Sequence, residues 1–501
     1  MNIPILLQAF VTIMKFISIV PIKGTFISNN YHRNSNKCHY QPFCHDDNVR
    51  RSDFLTRLFE IPNSSNTNNN GETISTTSIE TTIPVVKQHR RRQRYSGRYP
   101  RNFQDKYKEI NGDEQTIQKV LSKGMTPAGT HVPIMVKECL YYMGLHPKVT
   151  KDLNNDNTAS CPLLVVDCTL GYGGHSSFIL KCISERNDGS SLISFDQDTV
   201  EIQKTEERLR MALHENRLPS LINIEKGSED NYGKSSLPSS HVVFTAVNQN
   251  FSTLGSYLSS TNQTQRVTSL LADLGLSSMQ IDDNQRGFTY KRDGPLDMRM
   301  NPNDQSKEKA YDLLKRLRPR QLKSLLKENS DEDFAAEIAV GLIGDRSKIP
   351  KTTIELASRV RDIAQPLIEK KHKQQQKEKQ QQKQKTSNRK TRHKQEMKKL
   401  LDSTVARVMQ AIRIQVNGEF EALEELLEDL PNILAPGGKA VFLTFHSGED
   451  RRVKKSFKNG FKNGIYSAWS KTVVRPSTEE KRNNPRSSCC KLRWAIRSDN
   501  D

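Results

Sequence analysis

The sequence predicts an α/β protein built on a doubly wound parallel sheet, with a helical subdomain inserted into it. Three observations carry that prediction. Apolar runs ending in an acid recur at LLVVD, LISFD and SLLAD, which close on Asp167, Asp196 and Asp273. The first runs into a glycine-dense turn, TLGYGGH, and then a helical pattern, the strand–turn–helix order with which open α/β sheets cradle nucleotide-like ligands. Between 303 and 414 the alternation stops and only helical patterns follow one another.

Residues 1–125 read as a targeting sequence and a disordered spacer. No acid precedes Asp46, whereas Lys15, Lys23, Arg33 and Lys37 are basic and Ser and Asn are frequent. That composition fits a transit sequence for a mitochondrion or plastid. A secretory-type signal competes with it, and a cytoplasmic location is the alternative. The apolar stretch 3–20 is broken by Gln8 and Lys15, so no membrane span is expected. An Asn/Ser/Thr-rich run, SSNTNNNGETISTTS, continues the spacer.

Folded character begins near GTHVPIMVKECLYYMGL, where Ile134, Val136, Cys139, Leu140 and Met143 form a helical stripe. Leu163, Leu164, Val165 and Val166 suit a buried strand, and Gly171, Gly173 and Gly174 let backbone approach a ligand without Cβ interference. A helix over 176–182, a second strand at LISFD and the helix TVEIQKTEERLRMALHE follow. The stretch 216–240 reads as variable; VVFTAV is a third strand and SLLAD a fourth. After the helical insert come an acidic helix over 417–430 and a fifth strand, KAVFLTFH, introduced by Pro436, Gly437 and Gly438. EDRRVKKSFKN and the closing KLRWAIR complete the sheet domain. The expected divisions are therefore 126–302 and 415–501 for the sheet domain, with the helical subdomain at 303–414 between them. Its basic Lys/Gln tract, 370–399, is either a charged helical extension or disordered, and an RNA contact is the weaker reading of it.

Hydrophobic residues make up only 34% of the 501, so much of the chain lies outside any core. The formal charge of +20 favours a polyanionic partner, although the tract 370–399 and the run KQHRRRQRYSGRYPR hold much of the excess. Eight cysteines occur without a C-x-x-C pair or a Cys/His cluster, which points to a reducing compartment and to no metal site. Cys139, Cys168 and Cys182 sit in apolar contexts as small core residues.

The glycine turn alone is ambiguous, because GYGGHS lacks the third glycine of a dinucleotide fingerprint. The purely structural reading weakens with DLGLSSMQIDDNQRGFTYKRDGPLDMRMN. This segment leaves the carboxyl end of a strand and is dense in Asp, Arg, Gly and Gln, with too few apolar residues for a core element. Together the two segments point to an adenosine-containing cofactor, with Asp196 at the ribose hydroxyls.

HVPIMVKECL, VVDCTLGYGGHSSFIL, SFDQD, NQNFSTL, the DLGLSS segment, QAIRIQVNGEFEALE, LAPGGKAVFLTFHSGEDRRVK and RPSTEEKRNNPRSSCCKLR resemble, in the same order, the bacterial MraW/RsmH family. The likeness covers about residues 130–495. It implies a class I (Rossmann-like) methyltransferase domain with a helical insertion. It also implies methyl transfer from S-adenosyl-L-methionine to the exocyclic N4 of a cytosine in small-subunit ribosomal RNA, free or in an assembling small ribosomal subunit. A homodimer is left open.

Position by position, the resemblance implies that Gly173, Gly174 and His175 meet the methionine part of the cofactor, Asp196 the ribose and Phe251 the adenine region. Asp273 and Gln280 complete the site. His175 as a helix cap and Phe251 as a core residue are the plainer readings of those two. A sulfonium donor is cationic, which carboxylates suit and a dinucleotide pyrophosphate would not. Methylation of an amino nitrogen needs its lone pair oriented and a proton accepted, with no cysteine nucleophile. Asp273, Ser277 and Ser278 are the candidates for positioning that amino group, and His446 for accepting the proton or touching RNA. Arg286, Arg292 and Arg299 either serve RNA phosphates or order the loop around Asp282, Asp283 and Asp297.

The chain departs from the family pattern at Asp402-Ser403, where His-Pro is usual, at Gly448, and at Ser488, where a second arginine is common. Two other functions compete. A ribosome-assembly factor that binds rRNA without turnover would have lost cofactor binding. A nicotinamide-dependent oxidoreductase would need a His/Lys/Tyr constellation that the motifs lack.

Overall fold

The computed structural model describes residues 133–146, 161–214, 218–226, 241–264, 266–380 and 389–499. The spacer 1–125 and its targeting reading lie outside them.

Among the described residues, eight strands form one sheet: β1 (Leu164–Asp167), β2 (Ser191–Phe195), β3 (Ile222–Lys226), β4 (Val242–Val247), β5 (Val267–Asp273), β6 (Leu434–Thr444), β7 (Tyr466–Trp469) and β8 (Lys491–Arg497). Their order is β3-β4-β2-β1-β5-β6-β8-β7. All pairs from β3 to β6 are parallel, and β8 runs antiparallel to both β6 and β7. Strand order reverses at β1, whose neighbours are β2 and β5, so a crevice opens beyond the carboxyl ends of these three strands.

The central strands are apolar on both faces because helices cover both. On one face α1 (Val136–Met143), α2 (Gly174–Ser184) and α3 (Thr199–His214) pack through Leu140, Leu180 and Ile202 against Val165 and Leu192. On the other, α4 (Leu254–Ser260) and two later helices, α11 (Glu419–Ile433) and α12 (Ser447–Lys462), pack through Leu258, Leu430 and Phe457 against Val166 and Phe442. Each such side chain contributes about 1.5–3 kcal/mol of burial. The expected doubly wound sheet is thus present.

Between β5 and β6 lie the short α5 (Ser278–Asp282) and then the helices of the insert. These are α6 (Ala310–Arg316), α7 (Pro319–Ser330), α8 (Ala335–Ile343), α9 (Thr353–Gln380) and α10 (Arg389–Asn417). They enclose a core of their own around Leu313, Leu322, Ile338, Val360 and Ile412. Leu296 and Met298, from the loop after β5, belong to that same core and tie the loop to the insert. The described part of the 370–399 tract continues α9 and α10 as helix; residues 381–388 lie outside the described set.

Several elements differ from the sequence expectation. The stretch read as variable contains β3, an edge strand of only five residues, INIEK, whose polar alternate positions mask it. β7 was likewise unanticipated; it is four residues long and, among the described residues, pairs with β8 alone. The acidic helix starts at Glu419, because Asn417 still ends α10 and Gly418 adopts φ 64° between them. β6 begins at Leu434, before Pro436, so the Pro-Gly-Gly run lies inside the strand. It forms a bulge there: Leu434 pairs with Val267, yet the next partners are Lys439 and Ser269. Among the described residues, no helix is long and apolar enough to cross a membrane.

Candidate functional site

The carboxyl ends of β1, β2 and β5 and the insert enclose a cleft of about 640 Å³, a volume suited to a cofactor-sized ligand. Its first wall is the glycine turn. Asp167, buried at the end of β1, accepts hydrogen bonds from Thr169 N (3.1 Å) and Ser176 Oγ (2.6 Å), which holds the turn to the first residues of α2. Gly173 caps α2 at φ 72°, and a Cβ there would stand 2.7 Å from Thr205 Cγ2. Thr205 Oγ1 donates to Gly171 O at 2.7 Å, and the Arg208 guanidinium covers the Tyr172 ring and donates to Tyr172 O. Gly173, Gly174 and His175 therefore sit on a turn braced from α3.

Asp196 follows β2. Its Oδ2 accepts Gly171 N and its Oδ1 accepts Asp198 N, both at 2.8 Å. Burial pushes its pKa up to about 7, although the two backbone N–H groups pull the other way. Phe251 opens a short 3-10 turn, half-buried, and lines the cleft with Gln249 and Asn250.

Asp273 ends β5. Burial raises its pKa to about 6, opposed by His175. Its Oδ2 lies 3.5 Å from His175 Nδ1, while its buried Oδ1 has no partner among the described residues. His175 is itself buried, with Nε2 2.9 Å from Ile134 O. A carbonyl only accepts, so Nε2 carries the proton and Nδ1 faces the carboxyl group. The cap of α2 is Gly173, so His175 is not the helix cap.

The loop after β5 is ordered from within. Ser277 caps α5, accepting Gln280 N at 3.2 Å, and Gln280 Oε1 accepts Ser277 N at 3.0 Å. Gln280 Nε2 donates to Asp198 Oδ2 (3.0 Å), and Arg286 donates to the same oxygen (2.9 Å). Both ends of the Gln280 amide are thus engaged by protein, and the residue shapes the cleft wall. Ser278 is the first residue of α5. Arg286 also donates to Met300 O at 2.5 Å, Arg299 chelates Asp297 at 2.8 and 2.9 Å, and Arg292 donates to Asp282 O. Of the two readings of these arginines, the geometry selects loop ordering.

The far wall carries His446, which ends the turn after β6 and caps α12. Its Nε2 lies 2.9 Å from Glu449 Oε1, and its ring tilts against Phe420. Glu449 is buried; burial alone would raise its pKa, but the hydrogen bond and charge of His446, Phe445 N and Arg413 hold it below the usual range. Arg413 chelates Glu419 at 2.7 and 2.8 Å. Glu419, His446 and Glu449 bring three ligand-type atoms within 4.8 Å of one another, a grouping that sequence spacing did not reveal. Arg413 already engages both Glu419 oxygens, so the grouping reads as a hydrogen-bonded cluster. Gly448 fits because a Cβ there would lie 2.5 Å from Phe420 Cζ, and Asp402 pairs with Arg361 at 3.0 Å. Nothing in the structure explains Ser488, which lines the cleft exposed.

Sequence reasoning missed Asp198, Glu449 and Arg413. Asp198 was legible as the second acid of SFDQD, directly before the helical pattern that starts at Thr199. Glu449 stands three residues after His446, the spacing of a capping box. Arg413 carries no local signal.

Comparison with known proteins places these features. The model of a family described as the MraW methylase family matches residues 128–223 and 220–498. The protein named ribosomal RNA small subunit methyltransferase H 1 from Lachnoclostridium phytofermentans is 37% identical over 435 residues, covering 86% of this chain and 99% of its own. Its namesake from Agathobacter rectalis is 37% identical, covering 82% and 99%. Ribosomal RNA small subunit methyltransferase H 2 from Acholeplasma laidlawii is 36% identical, covering 81% and 98%.

Proposed function

The chain belongs to the MraW methylase family, and on that premise we propose that it methylates the exocyclic N4 of a cytosine in small-subunit ribosomal RNA, with S-adenosylmethionine as donor. One observation carries the reading. Asp273 lines the cleft together with the glycine turn and His446, and its buried Oδ1 has no partner among the described residues.

The residues present fit the cofactor. Two strand-end carboxyl groups, Asp196 and Asp273, with raised pKa values, await a ligand that donates hydrogen bonds or carries positive charge. Gly173 and Gly174 would hold the methionine part, Asp196 the ribose hydroxyls and Phe251 the adenine. When bound, the cofactor supplies an electrophilic methyl group on a sulfonium.

The chain's own residues then do two things. Asp273 Oδ1 accepts one N4–H of the cytosine, which turns the nitrogen lone pair, otherwise delocalised into the ring, towards the reacting direction. As the N–CH3 bond forms, the second N4 proton must leave. It passes to solvent, or to His446 Nδ1 with release of the 3.4 Å cap bond from Glu449 N, while Glu449 Oε1 holds the Nε2 side of the ring. The apolar part of the cleft, with Phe288, Met298 and Met409, excludes water around a base extruded from its stack.

The purified chain, given methyl-labelled cofactor and small-subunit ribosomal RNA, is expected to yield labelled N4-methylcytidine on digestion. Labelled 5-methylcytidine would overturn the choice of atom. RNA binding without label would leave only the assembly-factor reading.

A further inference from the structure

The helix that begins at His446 carries a second feature that the chemistry does not use. From 451 to 478 the chain has eight basic residues and no acidic one. Three of the eight are engaged within the protein: Arg451 pairs with Asp331 at 2.9 Å, Arg452 with Glu424 at 2.7 Å, and Arg475 donates to the carbonyls of Cys489 and Cys490. Lys454, Lys455, Lys458 and Lys462 are exposed and, among the described residues, make no ion pair. At 3.6 residues per turn, these four fall within an arc of about 100° on α12. Val453, Phe457 and Gly460 occupy the opposite, buried face.

We propose that this exposed face of α12 is a phosphate-binding track, along which the backbone of the substrate RNA lies as one of its bases enters the cleft. The inference deepens the functional reading above and rests on it. Four further features support it. The track starts at the site: His446 lines the cleft and caps the helix, and Lys454 stands about 12 Å further along the axis, Lys462 about 24 Å. An aromatic flanks the cations, as in single-strand binding surfaces where bases stack beside a charged groove. This is Phe461, 40% exposed, with Lys471 Nζ 6.0 Å from its ring centre. Lysines, which are flexible point charges, suit contacts to backbone that carry no sequence information. Finally, the neighbouring α11 exposes Glu421, Glu425 and Glu428 besides the Glu424 that Arg452 pairs. Their repulsion borders the track on one side and confines a polyanion to the lysine face.

The test compares wild type with a variant carrying Lys454→Gln, Lys455→Gln, Lys458→Gln and Lys462→Gln. Binding to transcribed small-subunit ribosomal RNA is measured by fluorescence anisotropy between 50 and 200 mM salt. If each lysine contacts one phosphate, the slope of log K against log salt becomes shallower by about 3, from about 0.7–0.9 per contact. The affinity gap between the two proteins then shrinks roughly 50- to 150-fold across that range. Affinity for S-adenosylhomocysteine and the melting temperature are expected to stay unchanged, since all four side chains are exposed. A matched variant of four lysines in the 370–399 tract, Lys370, Lys373, Lys398 and Lys399, is expected to change the slope less. A slope unaltered in the α12 variant would overturn the track. So would a defect seen only on protein-containing subunit particles, which would assign the lysines to an acidic protein. Failure of the wild type to methylate the RNA would instead sink the functional reading beneath it.

Discussion

Asp198→Ala is the substitution with the largest expected structural consequence at the site. Asp198 is fully buried and serves two elements. Its Oδ1 accepts Val200 N (3.2 Å) and Glu201 N (3.4 Å) at the start of α3, and its Oδ2 accepts Gln280 Nε2 and Arg286 Nη2. Alanine removes an N-terminal cap, worth about 1 kcal/mol. It also strands the Arg286 guanidinium, whose side chain is only 11% exposed. Removing one partner of a buried pair destabilises by about 3–5 kcal/mol, and that loss dominates. Urea unfolding followed by circular dichroism should register it as a fall in midpoint with little change in slope. Replacing both partners together, Asp198→Leu with Arg286→Met, should recover most of the loss, because the penalty lies in the unpaired charge. The variant keeps the backbone N–H that Asp196 accepts but frees Gln280 Nε2 and the start of α3, which both wall the cleft, so cofactor affinity should fall as well. A change below about 1 kcal/mol in Asp198→Ala would refute the claim that this ion pair holds the post-β5 loop to the cofactor turn.

Other expectations follow from the same geometry. Asp196 and Asp273, raised by burial to about 7 and about 6, must be ionised to receive a cationic cofactor. Affinity should therefore be greatest above pH 7 and weaken by up to about tenfold per pH unit for each acid as pH falls through these values. Calorimetry in buffers of different ionisation enthalpy would detect the released protons, and a flat profile from pH 5 to 8 would contradict the assignment. Gly173→Ala places a side chain at φ 72°, costing about 1–2 kcal/mol, against Thr205; weakened cofactor binding by calorimetry is the expected outcome. Glu449→Gln removes the charge beside His446. Turnover should fall and its pH profile shift while cofactor affinity stays near wild type, and an unchanged profile would remove His446 from the proton path.

How much of this could be read from sequence depended on how local each signal was. β1, β2, β4 and β5 were legible because their apolar runs are buried on both faces, and the acids that close them mark the cleft edge. β3 and β7 were not, since INIEK and YSAW are short edge strands whose pairing depends on distant partners, β4 and β8. The bulge in β6 escaped because Pro436 argues against a strand unless the register shifts around it. At the site, Asp196 and Asp273 stood out, whereas Arg413 comes from a helix of the insert and meets Glu419 across the left-handed Gly418 that separates the two helices. The roles of Arg286, Arg292 and Arg299 stayed divided between RNA and loop because their partners, Asp198 and the carbonyls of Asp282 and Met300, are set by loop closure. Motif residues proclaimed that they were needed without saying what they touch.

The most direct measurement of the central claim is mass-spectrometric mapping of N4-methylcytidine in small-subunit ribosomal RNA from cells lacking this chain, complemented with wild type or with Asp273→Asn. The account predicts one cytosine that loses the modification without the chain, regains it with wild type and stays bare with Asp273→Asn. Modification that persists without the chain, or full restoration by Asp273→Asn, would contradict it.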